Sequence, residues 1–375
     1  MKKFTFSIVL CSLFFSSCAQ DHGPKIQNEL GPKYIYETVV DGIDIPWGMA
    51  FISATEMLVT EKSGILYHVL DGVKSEISGL PEIYVRGQGG LLDITISPSF
   101  DTSKVIFFTA SSSDGEAAGG HTALYRAELE GTSLQNLKQL YKGQENTKKG
   151  QHWGSRISFD AEGHLYFSIG DRGNREVNPQ DTTRDGGKIY RLNQDGSIPT
   201  DNPFYYEKGS KQAIYSYGHR NPQGMLTHPE TGAIWVHEHG PRGGDEINVI
   251  GAGKNYGWPT ITYGINYSGT PITSDTDLPG LEQPLYYWLP SIAPSGMVFS
   301  TSDNYPNWKG NLLVGSLKFE YLERLLIEDN KVKERHKVLE GVGRIRNIKQ
   351  GPDGLLYLGV EGKGILKIIP KPPLK

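Results

Sequence analysis

Between residues 149 and 174 the chain reads KGQHWGSRISFDAEGHLYFSIGDRGN, which gathers His152, Arg156, Asp171 and Arg172 around one predicted hairpin. A neutral histidine is the side chain best suited to take a proton near pH 7, and a carboxylate on its other ring nitrogen fixes its tautomer and steadies the imidazolium. His152 and Asp171 are therefore read as a base and its orienter, with Arg156 as a supporting group. Further polar residues stand at the starts of other apolar segments: Gln88 in RGQGGLLDI, Arg220, Asn221 and Gln223 in GHRNPQG, Ser291 in LPSIAPSG, Lys318 in GSLKF, and Arg344 with Arg346 in GRIRNIK. One arginine alone is ordinarily a solvated surface residue. Arg156, Arg220, Lys318, Arg344 and Arg346 together, if they converge, repel one another unless an anion lies between them. The set asks for a polyanionic ligand.

The elements that must position these groups repeat along the chain. A β-branched or alternating run, a Gly, Asp or Asn turn, a second run rich in Leu, Tyr, Phe or Trp and a glycine recur six times, from GMAFISATEMLVTEKSGILYHV to RIRNIKQGPDGLLYLGVEGKGILKII. Units of three or four strands at this spacing predict an all-β fold, a six-bladed β-propeller with four-stranded antiparallel blades around a central channel, whose innermost strands bring the repeat starts to one axis. Two stacked β-sandwiches give a similar strand spacing, but no linker or composition shift divides residues 34 to 370. KYIYETVVDG, residues 33 to 42, belongs to no repeat and is expected to supply the outer strand that closes the last blade. The composition agrees: 46 Gly, 22 Pro and 20 Tyr with 21% charged residues suit short strands and many turns.

The start of the chain, residues 1–17, has a positive end, an apolar run and small residues, and reads as a signal peptide. FFSSC resembles a bacterial lipobox, which makes Cys18 the lipidated first residue of an exported lipoprotein, facing the periplasm and held to a bacterial membrane by its lipid. Loss of Cys11 with the leader leaves no disulfide. Residues 18–33 are expected to be a tether and residues 34–375 the catalytic domain. A formal charge of -4, about -6 without Lys2 and Lys3, gives no basic surface for nucleic acid.

HGPRGGDEIN, residues 239–248, has two readings: a polar hairpin loop, or a loop whose carbonyls bind a hard cation such as calcium, with Asp245 or Glu246 close by. The HEH at 237–239 lacks a third ligand at zinc spacing.

Taken in order from IPWGMAF to DGLLYLGV, these motifs resemble the soluble glucose/sorbosone dehydrogenase family, quinoprotein aldose sugar dehydrogenases that use pyrroloquinoline quinone (PQQ) and calcium (Ca2+) on a six-bladed propeller. The resemblance implies His152 as catalytic base, Asp171 as its orienting carboxylate, Gln88 as a sugar contact and Arg220 as the cation over the reactive quinone carbonyl. It implies Lys318, Arg344 and Arg346 as holders of the PQQ carboxylates, Asn221 and Ser291 as further cofactor contacts, and the carbonyls of Gly240 and Pro241 as calcium ligands. Gln151 before the histidine, His239 before GP and Leu289, where the glucose dehydrogenase branch packs a tryptophan over the cofactor, depart from that branch. The implied reaction oxidises an aldose at C1 to a lactone and needs an onward electron acceptor such as a cytochrome or quinone system. A strand, glycine-rich turn and helix for nicotinamide are absent from the pattern. The competing readings are a metal-dependent propeller lactonase or esterase, which requires acidic residues at the repeat starts, and a non-catalytic carbohydrate-binding lipoprotein.

Overall fold

The structure, a computed structural model, describes residues 23–28 and 34–370. The leader and Cys18 lie outside the described residues. Six sheets, each built on four antiparallel strands, follow one another along the chain. Their innermost strands are Pro46–Phe51, Leu91–Ile96, Ile157–Phe159, Pro222–Thr227, Pro294–Phe299 and Ile345–Gln350, which number blades 1 to 6. The second strand of each blade is almost entirely buried, as in Leu165–Ile169 and Leu356–Val360, because a sheet with a neighbour on both faces exposes neither. This is why those segments are apolar without alternation.

Six apolar clusters separate successive blades. Leu58, Ile94 and Phe108 pack between blades 1 and 2, Phe107, Phe167 and Tyr190 between blades 2 and 3, and Met49, Val59, Tyr357 and Ile365 between blades 6 and 1. The last of these closes a ring and excludes two independent sandwiches. Closure is also made by hydrogen-bonded strand pairing: Ile35–Val40 runs antiparallel to Gly364–Ile369, Ile35 opposite Ile369, and forms the outer strand of blade 6, as the leftover segment implied.

Three residues within the segment read as a tether are placed on the propeller. Ile26–Asn28 is a strand, parallel to Lys331–Val338 on the outer edge of blade 5, with Gln27 opposite His336. It pairs there because an outermost strand otherwise presents unsatisfied N–H and C=O groups.

Five of the six innermost strands change register near their start, at Pro46/Gly48, Leu91/Ile94, Pro222/Gly224, Ser295/Met297 and Ile345/Asn347. A bulge leaves a residue unpaired and bends the strand. Here the bulges free carbonyls of Trp47, Gln223 and Arg346 to accept side-chain donors at the axis.

Candidate active site

The loop that enters blade 3 places His152, and the loop that leaves Leu165–Ile169 places Asp171. Their side chains meet at 2.6 Å, His152 Nδ1 to Asp171 Oδ1. Asp171 also accepts from the Gly173 amide at 2.6 Å and from Trp258 Nε1 at 2.9 Å. Burial alone would raise the Asp171 carboxyl, but the hydrogen bond from His152, the Arg220 charge and the Trp258 indole bring it below its ordinary value. An ionised carboxylate can only accept. Nδ1 of His152 therefore carries the proton and Nε2 keeps a lone pair.

Burial lowers the His152 pKa from its ordinary value, with the charges of Arg220 and Arg172 acting the same way and Asp171 opposing them. The ring is neutral at pH 7. Its backbone lies in the left-handed region, φ 56°, which is unfavourable for a residue with a Cβ. The His152 amide donates to Gln88 Oε1 at 2.8 Å, and with the Asp171 contact this holds the ring in place. Gln88 is thus tied to the base itself.

Beside this pair opens a cavity of about 690 Å³ at the mouth of the channel. Gln88, Pro241, Asn221, Gln223, Ser291, Lys318, Arg344 and Arg346 line it, so these residues singled out in the sequence come together. His152 stands at its edge: Trp153, Gly154 and its partner Gln88 form the wall. Asn221 Oδ1 accepts from the Gly154 amide at 3.2 Å.

Lysine 62, Arg242, Tyr267 and Trp47 also line the cavity and were not picked out from the sequence. Arg242 and Tyr267 come from the stretch between blade strands that carries no periodicity, where Arg242 bridges to Ile265. The lining holds five cationic side chains, Lys62, Arg242, Lys318, Arg344 and Arg346, and no carboxylate.

Electrostatic balance comes from behind the wall. Glu361 accepts from Arg344 Nε at 2.6 Å and from Arg346 Nε at 3.1 Å, and these contacts draw its carboxyl below the ordinary range against its own burial. The repulsion expected among the cations is relieved in part by this residue, which sequence reasoning did not identify. Among the described residues Lys318 has no carboxylate partner; its ammonium lies 4.9 Å from the Phe319 ring centre.

Arg220 is buried outside the cavity lining and reaches the backbone of the 239–248 loop. Its Nη1 donates to the carbonyls of His239 and Gly240, both at 2.9 Å, while its Nε is buried without a hydrogen-bond partner. Its backbone amide is held by Glu238 Oε2 at 2.5 Å. The Gly240 amide donates to Asp245 Oδ1 at 2.8 Å. Asp245 further accepts from Ser291 Oγ and from the amides of Ile292 and Ala293, each within 2.9 Å, and burial pushes it up to about 6. Its oxygens are filled by these bonds, so Asp245 acts as the post on which Gly240 and Ser291 are set. Glu246 is pushed up to about 8 by burial and by the nearby Glu238.

The histidines at 237 and 239 do not form a metal pair: Nε2 of His239 meets the Pro294 carbonyl at 2.7 Å and that of His237 meets the Gly296 carbonyl at 3.3 Å. Leu289 does not reach the cavity either. It is about half exposed and lines a separate groove with Tyr263 and Tyr287, while Trp288 is buried between blades 4 and 5.

Comparison with known proteins places this geometry. The Glucose / Sorbosone dehydrogenase family model matches residues 43–367. The aldose sugar dehydrogenase YliI of Escherichia coli is 40% identical over 344 residues, covering 89% of this chain and 92% of that protein. The solved apo-form of the soluble aldose sugar dehydrogenase from Escherichia coli superposes with a TM-score of 0.87 at 38% identity, covering 90% of this chain and 100% of that one. The PQQ-bound form of aldose sugar dehydrogenase from Streptomyces coelicolor superposes at 0.73 with 26% identity, covering 90% of this chain and 99% of that one. With its six closed blades and its His152–Asp171 pair beside a cationic cavity, the chain belongs to the glucose/sorbosone dehydrogenase family of oxidoreductases.

Proposed function

We propose that the protein oxidises aldose sugars at C1 to lactones, with PQQ as the two-electron acceptor and calcium as its Lewis acid. The observation that carries this reading is the meeting of two features: a neutral, carboxylate-oriented histidine and a cavity lined by five cations and no acid. The Streptomyces coelicolor relative, solved with PQQ bound, supports the choice of cofactor.

The residues present fit a tricarboxylate quinone. The cavity has the volume of a small-molecule site, and Lys318, Arg344 and Arg346 offer carboxylate partners from blades 5 and 6. When bound, PQQ supplies the hydride acceptor that no side chain can, and calcium polarises the carbonyl that receives it. Calcium is assigned to the carbonyls of Gly240 and Pro241; Gly240 O already accepts from Arg220 and keeps a second lone pair. Arg220, expected over the quinone carbonyl, instead lies outside the cavity lining, and its role in this reading is to hold the Gly240 carbonyl in place.

His152 Nε2 takes the proton of the C1 hydroxyl as the C1 hydride departs. Asp171 holds the ring orientation and stabilises the resulting imidazolium. Gln88 orients the sugar from the rim. The lactonase reading requires acidic ligands at the cavity, and its lining has none. Export by the residue 1–17 leader, a lipid on Cys18 and electron transfer to a cytochrome or quinone system complete the proposal.

The test is reconstitution of the mature domain with PQQ and Ca2+ in the presence of an artificial electron acceptor. Aldose-dependent dye reduction that requires both additions, with lactone formed, is the expected result. Lactone or ester hydrolysis without quinone, or failure to bind PQQ, overturns the reading.

A further inference from the structure

Arg156 stood in the sequence as a support for the hairpin, yet its guanidinium turns away from that hairpin and sits on the propeller axis, 3% exposed. Nε donates to the Gln223 carbonyl at 2.7 Å, Nη1 to the Trp47 carbonyl at 3.2 Å, and Nη2 to the Arg346 carbonyl at 2.8 Å. Nη1 also meets Asp93 Oδ1 at 3.2 Å, and Asp93 Oδ2 accepts the Ile157 amide at 3.0 Å. One side chain of blade 3 is therefore bonded to the innermost strands of blades 1, 2, 4 and 6. Blade 5 joins the same ring, since Ser295 Oγ donates to the Arg346 carbonyl at 2.8 Å.

The three carbonyls belong to Trp47, Gln223 and Arg346, whose residues line the cavity. Each sits at or beside a register shift, where the backbone has left its ladder and needs another partner. The guanidinium also lies 4.0 Å from the Trp47 ring centre. A plug that served stability alone could be apolar, because replacing a buried ion pair by packed hydrocarbon is commonly neutral or stabilising. Directed bonds to backbone oxygens of separate sheets do something hydrocarbon cannot: they fix where those sheets stand relative to one another.

We infer that Arg156, with Asp93 as its counter-ion, is a positioning residue that sets the floor of the cavity by locking the bulges of blades 1, 4 and 6 in one register, and so holds Trp47, Gln223 and Arg346 ready for the anionic cofactor. Its effect on cofactor affinity rests on the quinone reading above; its effect on the bulges does not.

Two readouts test it on the full mature domain. In the apo protein, amide hydrogen exchange of Arg156→Met rises together in segments 46–51, 222–227 and 345–350, while the outer strand Ser133–Lys142 is unchanged. In the same variant the PQQ dissociation constant, followed by tryptophan quenching, rises about tenfold, which is the loss of roughly one hydrogen bond to a charged group. The kcat at saturating PQQ stays within about twofold, since no reacting atom is touched. Arg156→Lys, which keeps the charge and loses the fork, falls between the two and serves if the methionine variant does not fold. Exchange that rises only in blade 3 or not at all, or unchanged PQQ affinity with kcat lost instead, overturns the inference. If the unaltered domain fails to bind PQQ, the functional reading falls and the exchange result alone decides the positioning role.

Discussion

His152 gathers its competence from groups far apart in the sequence. Asp171 is 19 residues away, Gln88 is 64, and Trp258 reaches Asp171 across 87. His152→Ala is expected to lower kcat by about 10³-fold, the usual worth of a general base, with PQQ affinity unchanged within about threefold; a large loss of affinity with turnover retained contradicts the role. Asp171→Asn offers an amide N–H to Nδ1, moves the ring proton to Nε2 and lowers kcat by about 10²-fold or more. The direction with pH follows from the lowered histidine pKa: the neutral ring is the active form, so log kcat/KM rises with pH and levels off below the ordinary midpoint of about 6.5. A plateau reached only above that value argues against burial as the dominant influence. The pair itself was readable from motif order, because both members flank one hairpin. The left-handed backbone of His152 and the Trp258 contact were not, since neither leaves a local pattern.

At the scale of strands and loops, the innermost segments were legible as repeats and their polar starts did converge. What escaped was the acid behind them. Glu361 follows the second strand of blade 6 and reads as an ordinary turn residue, yet it holds both Arg344 and Arg346. Glu361→Gln leaves two guanidinium groups facing each other and is expected to lower apo stability by about 1 kcal/mol, discounted because the pair is half-buried. A ligand carboxylate can take over part of the lost pairing. The rise in melting temperature on adding PQQ should therefore be larger in this variant than in the parent, and an equal or smaller rise speaks against carboxylate binding at these arginines. Arg242 and Tyr267 were missed for a different reason: they lie on irregular chain whose path to the cavity is set by bridges such as Arg242 to Ile265, which periodicity does not report.

Across the whole molecule, ring closure is the feature on which the others depend, and it was visible as a strand-like segment with no repeat of its own. Deleting residues through 41 removes the outer strand of blade 6, exposes the edge of Gly364–Ile369 and is expected to yield aggregated or molten protein. Deleting only through 28 removes the three-residue strand on blade 5 and should shift the melting temperature by about 2 °C or less. Similar behaviour of the two truncations would show that closure contributes little. The axial ring around Arg156 was out of reach of sequence reasoning, because its bond to Arg346 spans 190 residues.

The closing strand, Ile35–Val40, is translated long before its partner, Gly364–Ile369. No chain can therefore finish its circle before Gly364–Ile369 has been added, and a product cut short by a premature stop before residue 364 keeps one sheet unfinished however well the earlier ones assemble.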